Sequence, residues 1–190
     1  VLAKDAEYSE ANKYTAYVMI EKKDYAKADE YFAKVKPEDL NSEDYTKRAK
    51  IHVEKKEFSE AYADLDKAVA LDPNDENTYF EYGKALFAEQ KYGDARIKFG
   101  KAIELGILNV AAYVYAGICD FYLNEFDKGT EVLTKSMELN PNIASAYLWR
   151  ANNYAGVSKN AEACADYQKY LTFEPNDTFA QEQVKKFCGK

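Results

Sequence analysis

Four small residues, Ala61, Ala95, Gly129 and Ala163, stand 34 positions apart, and each is followed four residues later by a larger one: Leu65, Phe99, Leu133 and Tyr167. Recurrence at a fixed spacing of this length specifies a stack of one supersecondary unit rather than a single globular core. Other columns keep the register. Tyr45, Tyr79, Tyr113 and Tyr147 open the units, Ala49, Gly83, Gly117 and Ala151 place a small residue within each first helix, and Pro73, Ile107, Pro141 and Pro175 close them. The small residues are expected to face Ala61, Ala95, Gly129 and Ala163 across each hairpin, since helix axes approach to about 8 Å only where side chains are short. Tyr25, Phe58, Tyr92 and Phe126 open the second helices as plugs; Asn160 lacks that bulk, so the turn at residues 157–161 is expected to be looser than its equivalents.

A further copy precedes these with a slip of one residue: Ser9 opens it, Ala16 takes the small slot, and Ala28 and Phe32 form its packing pair. Pro37 falls where its second helix would continue, and a proline both removes a donor and clashes with the preceding turn, so that helix is expected to stop near Val35. Residues 2–8 align with residues 69–75, which reads as the tail of a preceding repeat in a segment of a longer protein. Phe179, Val184 and Phe187, spaced among polar residues, predict a closing amphipathic helix with Gly189 just past it. The organisation expected is one array over residues 1–190: a tail at 1–8, repeats at 9–41, 42–75, 76–109, 110–143 and 144–177, and a capping helix at 178–190.

The third unit, reading Tyr79, Tyr82, Gly83, Leu86, Ala95, Phe99 and Ala102, resembles the tetratricopeptide repeat, with Tyr in place of the family's commoner opening Trp. The resemblance implies an all-α fold, an α-α superhelix of five helix-turn-helix repeats plus a C-terminal capping helix. It also implies that the first helices line a concave face through their second, fifth, ninth, twelfth and thirteenth positions. In the first two copies those positions are mostly polar, among them Glu10, Lys13, Tyr17, Glu21, Glu43, Thr46, Lys50 and Glu54; in the later copies they become apolar. The partner-binding groove implied there is Phe80, Lys84, Phe87, Val114, Ile118, Phe121, Tyr122, Leu148 and Asn152. Family members that hold the C-terminal carboxylates of chaperones use a Lys, Asn, Asn, Lys, Arg clamp. The matching positions here, Lys13 and Tyr17, Thr46 and Lys50, Phe80 and Lys84, do not reproduce it.

A net charge of −7 and a pI near 5.0 argue against a phosphate-backbone ligand, which needs clustered Lys and Arg, so no nucleic-acid partner is expected. The 17 tyrosines suit thin walls that leave a ring with one apolar side and one wet edge. No apolar run nears the roughly 20 residues of a membrane span, and no signal peptide is visible; the expectation is a soluble protein, cytoplasmic or periplasmic, with the compartment undetermined. Three cysteines fit no closed disulfide framework; Cys119 and Cys164 are expected to be inert thiols, and Cys188 a more exposed one. His52, the sole histidine, is expected to pack between helices with its polar edge satisfied rather than to act as a pH switch or base.

No phosphate-cradling glycine loop, positioned nucleophile or metal-ligand spacing is present, so no cofactor, metal or catalytic residue is expected. The function expected is a non-catalytic protein-protein interaction scaffold that takes a partner peptide or helix in a partly apolar groove. Two other readings stay open: a self-associating structural module, and a regulatory or substrate-recruiting arm of an enzyme lying outside this segment.

Overall fold

The computed structural model describes the backbone of residues 2–189 and the side chains of residues 8–189. Every regular element among them is helical, and the chain divides into two compact units, residues 1–89 and 90–190.

The first unit holds α1 (Leu2–Glu21), α2 (Tyr25–Phe32), a 3-10 turn (Pro37–Asp39), α3 (Ser42–Glu54), α4 (Phe58–Leu71) and α5 (Glu76–Ala88). Successive helices pair, α1 with α2 and α3 with α4. Ala16, Ile20, Ala28, Phe32, Val35, Leu40 and Ile51 form one buried cluster, which removes apolar surface that no hairpin could cover alone. Two expectations are corrected here. The alignment of residues 2–8 with residues 69–75 calls for a turn, yet α1 runs unbroken from Leu2 to Glu21; Ala6 stands in the proline slot and leaves the helical ladder intact. The second helix stops at Phe32 rather than near Val35. There the amides of Lys34 and Val35 bond the carbonyls of Tyr31 and Phe32, tightening the last turn so that Val35 and Leu40 both reach the core.

The start of α3 shows how a buried charge is held. Asn41 caps the Asp44 amide at 3.0 Å while the Asp44 carboxylate accepts from the Asn41 amide at 2.8 Å, a reciprocal box that satisfies two orphan donors. The same fully buried carboxylate accepts from the Tyr17 hydroxyl at 2.5 Å and faces Lys13 at 3.5 Å.

The second unit holds α6 (Tyr92–Glu104), α7 (Val110–Tyr122), α8 (Phe126–Leu139), α9 (Ala144–Gly156), α10 (Asn160–Leu171) and α11 (Thr178–Cys188). Ala112, Ala146 and Ala180, again 34 residues apart, are each fully buried, so α11 stands in the register of a first helix. The small residues do not simply face each other. A Cβ on Gly117 would sit 2.4 Å from Leu133 Cγ, and one on Gly129 would sit 2.7 Å from the Asn153 amide nitrogen of the next helix; each glycine therefore makes room for one particular side chain.

The hairpin turns share one geometry that the residue types do not announce. Lys23, Lys56, Gln90, Asn124 and Ser158 all adopt positive φ, between 58° and 61°, where glycine is the usual occupant. After four of them the next amide reaches back five residues to a carbonyl: Asp24 to Met19, Glu57 to His52, Glu125 to Asp120 and Lys159 to Tyr154, at 2.8 to 2.9 Å. The fifth hairpin is thus closed like the others, which corrects the expectation of a looser turn at residues 157–161. The backbone bond sets the geometry, and the missing plug at Asn160 does not alter it.

The cysteines correct the sequence reading most sharply. Cys164 and Cys188 are joined by a disulfide, their Cα atoms 5.3 Å apart, because α11 folds back along α10 and brings the two together. Only Cys119 remains a thiol; it is buried, and burial pushes its pKa up to about 12, so it is inert as expected.

Candidate functional site

The first helices of the two units present different chemistry. In the first unit, α3 and α5 border a cavity of about 590 Å³ lined largely by Glu21, Glu43, Lys47, Lys50, Asp75 and Glu81. Lys47 pairs with Glu43 at 3.2 Å, and Lys84, over the ring of Phe80 at 5.4 Å, pairs with Glu81 at 2.8 Å. Phe80 itself is only 7% exposed and Phe87 is half-buried.

Lys13, which stands at a clamp-equivalent position, is not free to hold a ligand. It is 6% exposed, paired with Glu10, 3.5 Å from the Asp44 carboxylate, and it donates to the Asp39 carbonyl at 3.2 Å. Tyr17, one turn on, is committed to the same Asp44. Burial, with that bond and that charge added, pushes the phenol pKa far above its ordinary value, so the hydroxyl stays a donor to the protein's own carboxylate. His52 is half-buried with Nδ1 2.8 Å from the Glu57 carboxylate, consistent with a packed ring whose polar edge is satisfied.

In the second unit the wall is apolar, and its predicted residues fall into two places. Val114 and Ile118, 7% and 8% exposed, form the floor of a cavity of about 590 Å³ rimmed by Leu108, Val110, Ala111 and Ile143. They lie below the surface, where the expectation had them on it, because α9 packs beside α7 and covers the fifth and ninth positions. Leu108, in the connector before α7, is 90% exposed on the rim. Phe121, Tyr122 and Asn152 lie further along, in an aromatic group. Phe121 meets Phe126 and Trp149 edge-on at 5.8 and 5.3 Å, and Tyr122, 47% exposed, stacks on Tyr92 at 4.2 Å. Phe121 and Asn152 also line a second cavity of about 430 Å³ walled by Phe179 and Phe187 of α11. The Asn152 side-chain oxygen accepts from the Tyr167 hydroxyl at 2.6 Å, and Leu148 is half-buried against the α10–α11 core.

Sequence reasoning missed Leu108, Ile143 and Trp149. The first two lie in connectors outside the counted helical positions, and Trp149 occupies a sixth position, which packs laterally against Phe121. Among the described residues no group of His, Cys, Asp and Glu could hold a metal ion, and no helix is long and apolar enough to cross a membrane.

Paired helices repeated at 34 residues, with first helices lining open cavities, define a helical-hairpin solenoid protein. The tetratricopeptide repeat family matches residues 45–75. The same hairpin recurs in register along the chain, so its architecture is like that of the family beyond the matched residues. Among curated relatives, Hsp70-Hsp90 organizing protein 2 of Arabidopsis thaliana is 27% identical over 150 residues, covering 79% of this chain and 24% of the relative, so the chain spans about a quarter of that protein's length. Among solved structures, that of MamA superposes with a TM-score of 0.78 at 24% identity, covering 95% of this chain and 96% of that one. YrrB, described as a TPR protein with an unusual peptide-binding site, gives 0.78 at 18% identity over 93% and 92% of the two chains. At these identities the structural likeness speaks to the fold alone.

Proposed function

We propose that this chain is a non-catalytic scaffold whose second-unit wall, from Leu108 through Val114 and Ile118 to Phe121, Tyr122, Leu148 and Asn152, docks a peptide or helix of a partner protein through apolar anchors. The observation that carries this reading is the open 590 Å³ cavity with an apolar floor and a fully presented leucine on its rim. Burying a side chain such as Leu108 contributes about 1.5–3 kcal/mol, and two or three anchors of that kind are enough to offset the ordering of a short segment. Asn152 on the same wall supplies a polar group able to bond a peptide backbone. Lys84 and Phe87 lie on α5 in the first unit and are left out of this wall.

The relative from Arabidopsis thaliana is named for Hsp70 and Hsp90, which raises the reading that this chain also binds chaperone tails. The occupied state of Lys13 and Tyr17 speaks against an acidic-tail clamp in the first unit, since a ligand carboxylate there would have to displace Asp44 and meet its charge. The peptide-binding description of YrrB supports the broader reading of a segment held by a solenoid wall.

The test is selection of binding peptides from a random displayed library, followed by titration against wild type, Leu108→Glu and a control, Ile97→Glu, an exposed apolar residue on α6. The expected result is a loss of affinity of about ten-fold or more, some 1.4 kcal/mol, for Leu108→Glu and no change for Ile97→Glu. Equal binding by all three would contradict the assignment. A concentration-dependent mass lost in Leu108→Glu, with no peptide selected, would replace it by self-association through the same wall.

A further inference from the structure

We propose that the Cys164–Cys188 disulfide is a redox-operated latch: it fixes the second half of α11 as a wall of the 430 Å³ aromatic cavity, and a dithiol reductant releases that half and opens the cavity. This goes beyond partner docking, because it concerns how part of the surface is held in place.

The two halves of α11 are anchored by different means. At its start, Asp177 caps the Ala180 amide at 2.9 Å, accepts from the Tyr170 hydroxyl at 2.8 Å, and is held below the ordinary carboxylate range first by the Ala180 amide and then by that hydroxyl. Gln181 donates to the Pro175 carbonyl at 2.8 Å, and Ala180 is fully buried. Beyond that point none of residues 181–188 is buried. The second half is held by half-buried Val184, by Phe187 stacked on Tyr167 at 6.0 Å, and by the disulfide. A segment with so few buried contacts opens locally at small cost unless it is tied.

The position of the crosslink supports the reading. It joins residues 24 apart on α10 and α11, and the ion pair of Arg96 with Asp120, at 2.7 Å, joins residues 24 apart on α6 and α7 in the same register. A covalent bond thus stands where an earlier repeat uses a reversible contact between neighbouring helices. Both linked cysteines are half-buried and within reach of a reductant, whereas Cys119 is sealed in the core.

In the step itself, a thiolate of the dithiol attacks one sulfur, the S–S bond breaks and the other cysteine leaves as a thiolate. The second reductant thiol then displaces the mixed disulfide. Two electrons and two protons pass to Cys164 and Cys188, and the reductant becomes a disulfide. Removing a closed loop of 24 residues frees the undocked chain and shifts the docked-to-undocked ratio of α11 by up to about two orders of magnitude. The face of the Tyr167 ring that stacks on Phe187, 1% exposed in the latched state, would then be uncovered, while Phe179 in the anchored half keeps its edge contact.

Amide hydrogen exchange of the whole chain, before and after dithiothreitol, tests the latch alongside Cys164→Ser/Cys188→Ser. The expected result is exchange at residues 184–188 at least about ten-fold faster after reduction, unchanged exchange in α9, and a double variant that matches the reduced protein with or without reductant. The proposal is overturned if reduced protein and double variant both keep the oxidised rate at residues 184–188. It is equally overturned if α9 loosens to the same degree as α11, or if alkylation of the untreated protein finds Cys164 and Cys188 as thiols.

Discussion

Lys56 turns the chain from α3 into α4 with φ at 61°, a conformation in which its Cβ crowds the following carbonyl oxygen. The bond from the Glu57 amide to the His52 carbonyl, 2.8 Å, holds it there. Lys56→Gly removes the crowding while keeping that bond, and is expected to raise stability by about 0.5–1 kcal/mol, net of the freedom glycine adds to the unfolded chain, in a urea denaturation series. These turns mark a limit on what residue types reveal. Lys23, Lys56, Gln90, Asn124 and Ser158 share a backbone state and no chemistry, so only their spacing betrays them. The cysteines failed for a related reason: an odd count says nothing of which pair is brought together, and Cys164 meets Cys188 only once α11 lies along α10.

At the scale of elements, α9 and α10 are tied by a bidentate pair, Arg150 to Asp166 at 2.7 and 2.9 Å, and α3 and α4 by its counterpart, Arg48 to Asp64 at 2.7 and 2.6 Å. The equivalent positions of α7 and α8 hold Ala116 and Val132, both buried. One hairpin geometry therefore accepts either an ion pair or an apolar pair. Asp166→Val alone leaves the Arg150 guanidinium partly buried with one of its acceptors gone and is expected to cost about 2–3 kcal/mol; Arg150→Ala/Asp166→Val copies the apolar hairpin and is expected to cost less than half of that, read from thermal unfolding. The existence of these helices was legible from the 34-residue columns, since the period forces each amphipathic pair to bury its small-residue stripe. An early end of α2 was legible from Pro37, but its place at Phe32 was not, because it depends on what Val35 and Leu40 find to bury against; nor was the unbroken α1, where Ala6 in the proline slot lets the helix run on.

At the scale of the whole molecule, one repeated scaffold carries two surfaces of unlike character. The first unit lines its cavity with acids and lysines that answer one another, and the second leaves an apolar floor beneath an exposed leucine. The change from charged to apolar wall could be read from the counted positions of the first helices. The depth of Val114 and Ile118, and the part played by Leu108 and Ile143, could not, because neighbouring helices and connectors decide what covers a position. The measurement that bears most directly on the docking wall is photo-crosslinking of a selected peptide carrying a benzophenone side chain, with the attachment sites mapped by mass spectrometry. The account predicts crosslinks on Leu108, on α7 near Val114 and Ile118, and around Ile143; crosslinks confined to the outer faces of α6 and α8 would contradict it.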